Sequence, residues 1–293
     1  GVLPAAVGRV GAGEAGVQRK TLFLTMGRRV RYFVVSVSFS SIFIENGMDQ
    51  LIVLAGGKGT RMRSDMPKVL HPVNGVPIVR RLLDALMPIF PKPIVVIGYK
   101  GEEVRQALGE GVSYAIQSEP LGTGDAVRTA MDALSNEHFD RIIVVPGDHP
   151  LISRETIERL MVLQKEKAAS VAVVTAIVPD FEGENATFLH YGRILRNAAG
   201  DVAGIIEWKD ASEIERNIRE VNTSYYAFDA RWLRKHIGML SRDNAAQEYY
   251  LTDLVRMAND SGERVVALAV GDIREAFGVN DPEQLRRVER YCR

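Results

Sequence analysis

The first strong signal along the chain is the apolar run Leu51, Ile52, Val53 and Leu54, which glycines then break abruptly. An unbroken run this short predicts a strand buried on both faces, as parallel strands are in an α/β sheet. Ile78, Val79, Leu82, Leu83, Leu86 and Met87 recur at helical spacing, with Pro77 suited to the first turn and Pro88 near the end. Ile94 to Ile97 reads as a second strand, GEEVRQAL as a short helix closed by Gly109, and Val112 to Ile116 as a third strand. Ala126, Val127, Ala130, Met131 and Leu134 form the apolar face of a helix opened by LGTGDA, and Arg141 to Val145 reads as a fourth strand. Alternation of strand and helix predicts parallel crossover units, hence a Rossmann-like α/β fold whose central sheet is mostly parallel.

From Ser170 the pattern changes. A long strand, SVAVVTAIV, leads to two alternating segments, Gly192 to Arg196 and Val202 to Glu207, joined by Asn197-Ala198-Ala199-Gly200. That is a hairpin signature, so this region is expected to make a small antiparallel excursion that walls one side of the site. Val221 to Phe228 is expected to return to the sheet. DARWLRKHIGML and the run around QEYYLTDLVRMA read as helices, and Val265 to Val270 as a late strand. Asp281, Pro282 and Gln284 resemble an N-cap, first turn and capping-box partner of a last helix.

The first 47 residues differ from the rest. Gly1 to Gly16 is low in complexity, and Arg28, Arg29 and Arg31 before an apolar run imitate a secretory signal. Four serines, Ser36, Ser38, Ser40 and Ser41, interrupt that run and no small-x-small site follows it. It is also too short to span a bilayer. Met48 is therefore expected to begin the domain, residues 48–293, and residues 1–47 to be a disordered or loosely attached leader.

Composition narrows the function classes. Lysine and arginine number 37, as do aspartate and glutamate, so neither a nucleic acid nor a membrane surface is an expected partner. The single cysteine, Cys292, rules out an internal disulfide and fits a cytoplasmic setting. The five histidines show no zinc spacing, and no Ser-His-Asp order stands out.

The chemistry is expected in the loop after Leu54. Gly56, Gly57 and Gly59 let backbone N–H groups approach phosphate oxygens, while Lys58, Arg61 and Lys68 surround the same hollow with positive charge. The spacing fits neither a Walker loop nor a dinucleotide fingerprint, since Met62 stands where the latter needs its last glycine. Asp148 follows a buried strand at the sheet's carboxyl edge, where open α/β sheets bind ligands, and is a candidate metal ligand. Ser153 fills the cap role that Asp148 would otherwise take.

The stretch from Leu54 to Lys68 carries L-A-x-G-x-G-T-R-M followed by P-K, and in this it resembles the nucleotide-sugar pyrophosphorylases. The continuation PKVLHPVNGVPIV is most similar to the bacterial N-acetylglucosamine-1-phosphate uridylyltransferases. The resemblance covers Met48 to about Leu285 and implies transfer of a nucleotidyl group from UTP to N-acetylglucosamine-1-phosphate, with Mg2+ and release of pyrophosphate. It makes Leu54, Ala55, Gly56 and Gly57 the nucleotide cradle, with Arg61 and Lys68 at the phosphates. Gln117 then reads the base, beside Gly122 and Thr123. Pro146 and Gly147 line the same edge, and Gly192, Glu207, Asn222 and Thr252 the sugar side. Asp148 and Asn280 become the metal ligands, expected to meet across one ion.

Four positions depart from the family's pattern: Gly56 for a common alanine, Pro120 for a glutamine, Asp125 for a histidine and Pro146 for a tyrosine. Another sugar phosphate or base therefore stands as an alternative within the same chemistry. A non-catalytic nucleotide-sugar-binding module is the alternative outside it. No hexapeptide repeat of a left-handed β-helix occurs in the sequence.

Overall fold

The computed structural model describes residues 48–292, so the expectation of a leader before Met48 lies outside the described residues. The chain enters with β1 (Asp49–Leu54), then a two-strand ribbon, β2 (Pro72–Val73) and β3 (Val76–Pro77), then α1 (Ile78–Leu86). β4 (Ile94–Ile97), α2 (Gly101–Leu108), β5 (Ser113–Ile116), α3 (Thr123–Ala133), β6 (Arg141–Pro146), α4 (Arg154–Lys167) and β7 (Val171–Ile177) follow. Next come β8 (Arg193–Arg196), β9 (Val202–Ile206), α5 (Glu213–Arg216), β10 (Glu220–Asp229) and α6 (Ala230–His236). Last are α7 (Asp253–Asp260), β11 (Val265–Ala269) and α8 (Pro282–Tyr291).

Side by side, the main path of the sheet runs β11-β7-β10-β6-β1-β4-β5. All pairings along it are parallel except those of β10, which is antiparallel to both β6 and β7. β1 is central, so its side chains are buried on both faces. Ile52 joins the apolar layer under α3, α6 and α7, while Leu51 and Val53 point the other way, under α1, α2 and α4. This two-sided burial is why the sequence there is continuously apolar, and each such side chain contributes on the order of 2 kcal/mol of transfer free energy. α1 buries Ile78, Val79, Leu82, Leu83 and Leu86, the stripe read from the sequence.

The antiparallel part is small, as expected: β2 and β3 form a separate ribbon, and the hairpin β8–β9 stands off the main path, tied to β10 where Val221 pairs with Arg193. Arg193 is wholly buried under this wall, where its guanidinium donates to the carbonyls of Phe188, Leu189, Tyr191 and Arg216. β10 carries a bulge between Asn222 and Tyr226, centred on Ser224 with φ 64°. The helix expected around QEYYLTDLVRMA begins only at Asp253. The reason is that Tyr249 gives its backbone groups to the loop before α3: its N–H donates to the Leu121 carbonyl at 2.7 Å and its carbonyl accepts from Gly124 N at 2.8 Å.

Candidate active site

The carboxyl edge of β1 and β6 is built by short backbone bonds that carry the pairing past the strand ends. Gly147 N donates to Leu54 O and Ala55 N to Val96 O, each at 2.8 Å. Leu54, Ala55, Pro146 and Gly147 thus lie along one edge. Gly57 is exposed and Gly56 half-buried, leaving the loop open to solvent.

Gly59 has φ 61° and starts a short 3-10 turn, Thr60–Met62, which carries Arg61. A Cβ on Gly59 would lie 2.5 Å from the Cβ of Lys68, so this glycine supplies both a left-handed turn and the passage for the lysine side chain. Arg61 is exposed and has no hydrogen bond or ion pair among the described residues. Lys58 Nζ lies 5.5 Å from the centre of the Tyr99 ring.

Lys68 is the centre of the arrangement. Its Nζ lies 2.5 Å from Asp148 Oδ2 and donates to Asn280 Oδ1 at 2.9 Å. Two residues far apart in sequence, one after β6 and one before α8, therefore meet on one cation. The backbone explains how: Val279 N donates to the Asp148 carbonyl at 2.9 Å, which brings the next residue, Asn280, alongside. Asp281 rather than Asn280 caps α8, accepting from the N–H groups of Glu283 and Gln284. The capping-box partner is shifted by one, because Gln284 Oε1 accepts from Asn280 N at 2.7 Å and holds that residue in place. Burial opposes ionisation of Asp148, but the adjacent Lys68 ammonium, the hydrogen bonds to the carboxylate and the neighbouring His149 together hold the carboxyl below its ordinary range.

This donor set suits a hard divalent cation. It offers one ionised carboxylate and one neutral amide oxygen already gathered around positive charge. Among the described residues no group of three or more His, Cys, Asp or Glu could hold a metal, so further coordination positions would fall to phosphate oxygens and water.

His149, next along, was not singled out by the sequence. Burial takes its pKa down to about 4, leaving a neutral imidazole. Tyr225 OH donates to the Glu275 carbonyl at 2.5 Å, so its oxygen must accept from His149 Nδ1 at 2.7 Å, which fixes the tautomer.

On the nucleoside side, Gln117 follows β5 and reaches toward the start of α3. Gly122, with φ 108°, begins that helix, and a Cβ there would stand 2.6 Å from the Tyr249 carbonyl. Thr123 Oγ1 accepts from Leu251 N at 3.2 Å.

The four residues expected on the sugar side are joined to one another. Thr252 Oγ1 donates to Glu207 Oε1 at 3.0 Å instead of capping α7, and Asn222 N donates to Gly192 O at 2.9 Å. A Cβ on Gly192 would lie 3.5 Å from Glu207 Oε2. Burial raises the Glu207 carboxyl above its ordinary value, against the Thr252 hydrogen bond, and Asp210, Asp253 and Glu248 push the same way as burial. Asn222 is itself buried and its amide is engaged, donating to Tyr226 OH at 2.7 Å and accepting from Ser224 N at 3.0 Å.

A glycine loop, a gathered pair of oxygen ligands and an open cradle at the carboxyl edge of an α/β sheet describe the nucleotidyltransferase class. The chain belongs to the family of the MobA-like NTP transferase domain, whose model matches residues 51–212. It is 44% identical over 243 residues to "Bifunctional protein GlmU" of Brevibacillus brevis and 40% identical to the protein of that name from Bacillus subtilis. Those alignments cover 83% of this chain but 51% and 52% of the relatives, so the chain spans about half the length of the curated proteins it matches. A crystal structure of a putative glucose-1-phosphate thymidylyltransferase from Bacillus anthracis, in complex with a sucrose, has the same fold. It superposes with a TM-score of 0.65 at 19% identity, covering 84% of this chain and 95% of that one.

Proposed function

We propose that this domain joins UTP and N-acetylglucosamine-1-phosphate to give UDP-N-acetylglucosamine, a cell-wall precursor, and pyrophosphate. The observation that carries the reading is the convergence of Asp148 and Asn280 on Lys68, beside a glycine loop open to solvent. The relatives at 40–44% identity support the choice of substrates. A cytoplasmic setting goes with it, because both substrates are phosphorylated. Among the described residues no helix is long and apolar enough to cross a membrane.

In this reading a phosphate oxygen of the sugar phosphate attacks the α-phosphorus of UTP in line. The new P–O bond forms as the bond to the β-phosphate oxygen breaks, and pyrophosphate leaves with the electron pair. No protein nucleophile is needed, because the attacking oxygen is already anionic. The chain's task is alignment and charge neutralisation. Backbone N–H groups from Gly56 to Gly59 hold the phosphates, and Arg61, which pairs with no anion among the described residues, is free to meet them. The Lys68 ammonium offsets negative charge on the transferring group. Asp148 and Asn280 hold the divalent cation, Mg2+ in this proposal, which supplies charge neutralisation on the phosphates when bound. Gln117, Gly122 and Thr123 receive the base, while Gly192, Glu207, Asn222 and Thr252 shape the acetamido-sugar side.

Incubating the protein with Mg2+, each nucleoside triphosphate and a panel of sugar-1-phosphates, with products identified by mass, tests the assignment. UDP-N-acetylglucosamine should dominate. A different nucleotide sugar as the main product would keep the chemistry and overturn the substrates, and no product from any combination would overturn both.

A further inference from the structure

Two of the departures from the family's pattern, Gly56 and Asp125, meet on a single amide. Gln117 Nε2 donates to the Gly122 carbonyl at 3.1 Å and to Asp125 Oδ2 at 2.8 Å. A carboxamide nitrogen carries two hydrogens, so both are used. Turning the amide over would set Oε1 against a carbonyl oxygen and a carboxylate oxygen, acceptor facing acceptor. Asp125 is held firmly enough to impose this. It is 7% exposed in the first turn of α3, and its other oxygen pairs with the Arg128 guanidinium, which lies 4.9 Å from the centre of the Tyr249 ring. The remaining atom, Gln117 Oε1, faces the loop after β1: a Cβ on Gly56 would stand 3.3 Å from it, so glycine there leaves the oxygen uncovered.

We infer that Asp125 is a positioning residue that sets base selectivity by holding Gln117 with its oxygen toward the nucleobase. This rests on the reading above, in which the hollow takes a nucleoside triphosphate with its base at Gln117. An oxygen presented to the ring edge needs an N–H donor opposite it. Uracil offers one at N3, whereas cytosine has a bare acceptor at the same place and meets Oε1 with repulsion. The selection is for a keto pyrimidine over an amino pyrimidine. Arg128 takes part by holding Asp125 rather than by touching the base.

The test compares UTP with CTP, by calorimetric binding and by kcat and KM for pyrophosphate release, in four proteins: wild type, Asp125→Ala, Gln117→Ala and the double variant. Wild type should prefer UTP, and Asp125→Ala should narrow the UTP:CTP ratio on the order of tenfold, the scale of one base-edge contact, mainly through KM. In the Gln117→Ala background Asp125→Ala should change the ratio no further, because its effect passes through that amide. Asp125→Asn is the isosteric control for folding. Its own amide can turn, which frees Gln117 to present either group, so the ratio should narrow there too. A wild-type preference for UTP that survives in folded Asp125→Ala or Asp125→Asn overturns this inference alone, as does an undiminished effect in the Gln117→Ala background. A wild-type protein that binds neither nucleotide overturns the functional reading and this inference with it.

Discussion

The Nζ of Lys68 lies 2.5 Å from Oδ2 of Asp148, in a pair whose side chains are 15% and 12% exposed. At that burial the ammonium occupies the place where Asp148 and Asn280 would offer oxygens to a metal. Lys68→Ala should therefore lower turnover about 10²-fold, the scale of one preorganised charge lost from a transition state. It should also cost about 2 kcal/mol of stability by leaving a carboxylate unpaired. Mg2+ should raise the melting temperature of the nucleotide-free variant more than that of wild type, because no ammonium has to be displaced. Equal shifts in the two proteins would contradict the shared position.

Gly59→Ala tests how the lysine is placed. The substitution puts a Cβ at φ 61° and 2.5 Å from the Lys68 Cβ, so the lysine or its loop must move. Stability should fall by about 1–2 kcal/mol. Turnover should fall about 10- to 100-fold through misplacement of Lys68 alone. Wild-type kinetics in a folded Gly59→Ala protein would show that the loop tolerates the shift.

Asp148→Asn and Asn280→Ala should each raise the Mg2+ needed for half-maximal activity by about tenfold or more. The double variant should be little worse than either single one, as expected for two ligands of one ion. Strictly additive losses would mean that the two residues act on separate events.

Glu207 gives a pH signature. Its carboxyl titrates near 4.5 when unfolded and above that when folded, chiefly through burial. Between the two values the folded protein binds more protons, so stability falls as pH rises through that window. Glu207→Gln should thus be more stable than wild type above the window, with the gap closing toward pH 4.5 and below. The same variant should raise KM for the sugar phosphate roughly tenfold, since a hydrogen bond to a charged group is lost. Thermal melts across pH 4–8 with parallel kinetics check both, and a less stable variant at pH 8 would reverse the sign.

The strands and helices that bury apolar side chains were legible because burial on both faces or on one stripe writes itself into residue type. β4 and α2 fall on the residues expected, and β1 and β6 contain them. Direction is not written that way, so the reversal of β10 inside the sheet was invisible. The β2–β3 ribbon did have a signal, Asn74-Gly75 between valines, and both residues have the positive φ such a turn requires. Ser224 had none, since its left-handed backbone is imposed by the Asn222 side chain accepting from its N–H. In the site, the pairing of Asp148 with Asn280 was expected only from the family resemblance. The lysine between them was not expected, because contacts over 80 and 212 positions leave no local pattern.

The most direct test of nucleotidyl transfer follows the α-phosphate itself. UTP labelled at that phosphorus should pass its label to UDP-N-acetylglucosamine in step with release of unlabelled pyrophosphate. With no sugar phosphate present, no label should become attached to protein and no pyrophosphate should exchange into UTP. Label remaining in UTP, or pyrophosphate released without the sugar phosphate, would contradict in-line transfer at this site.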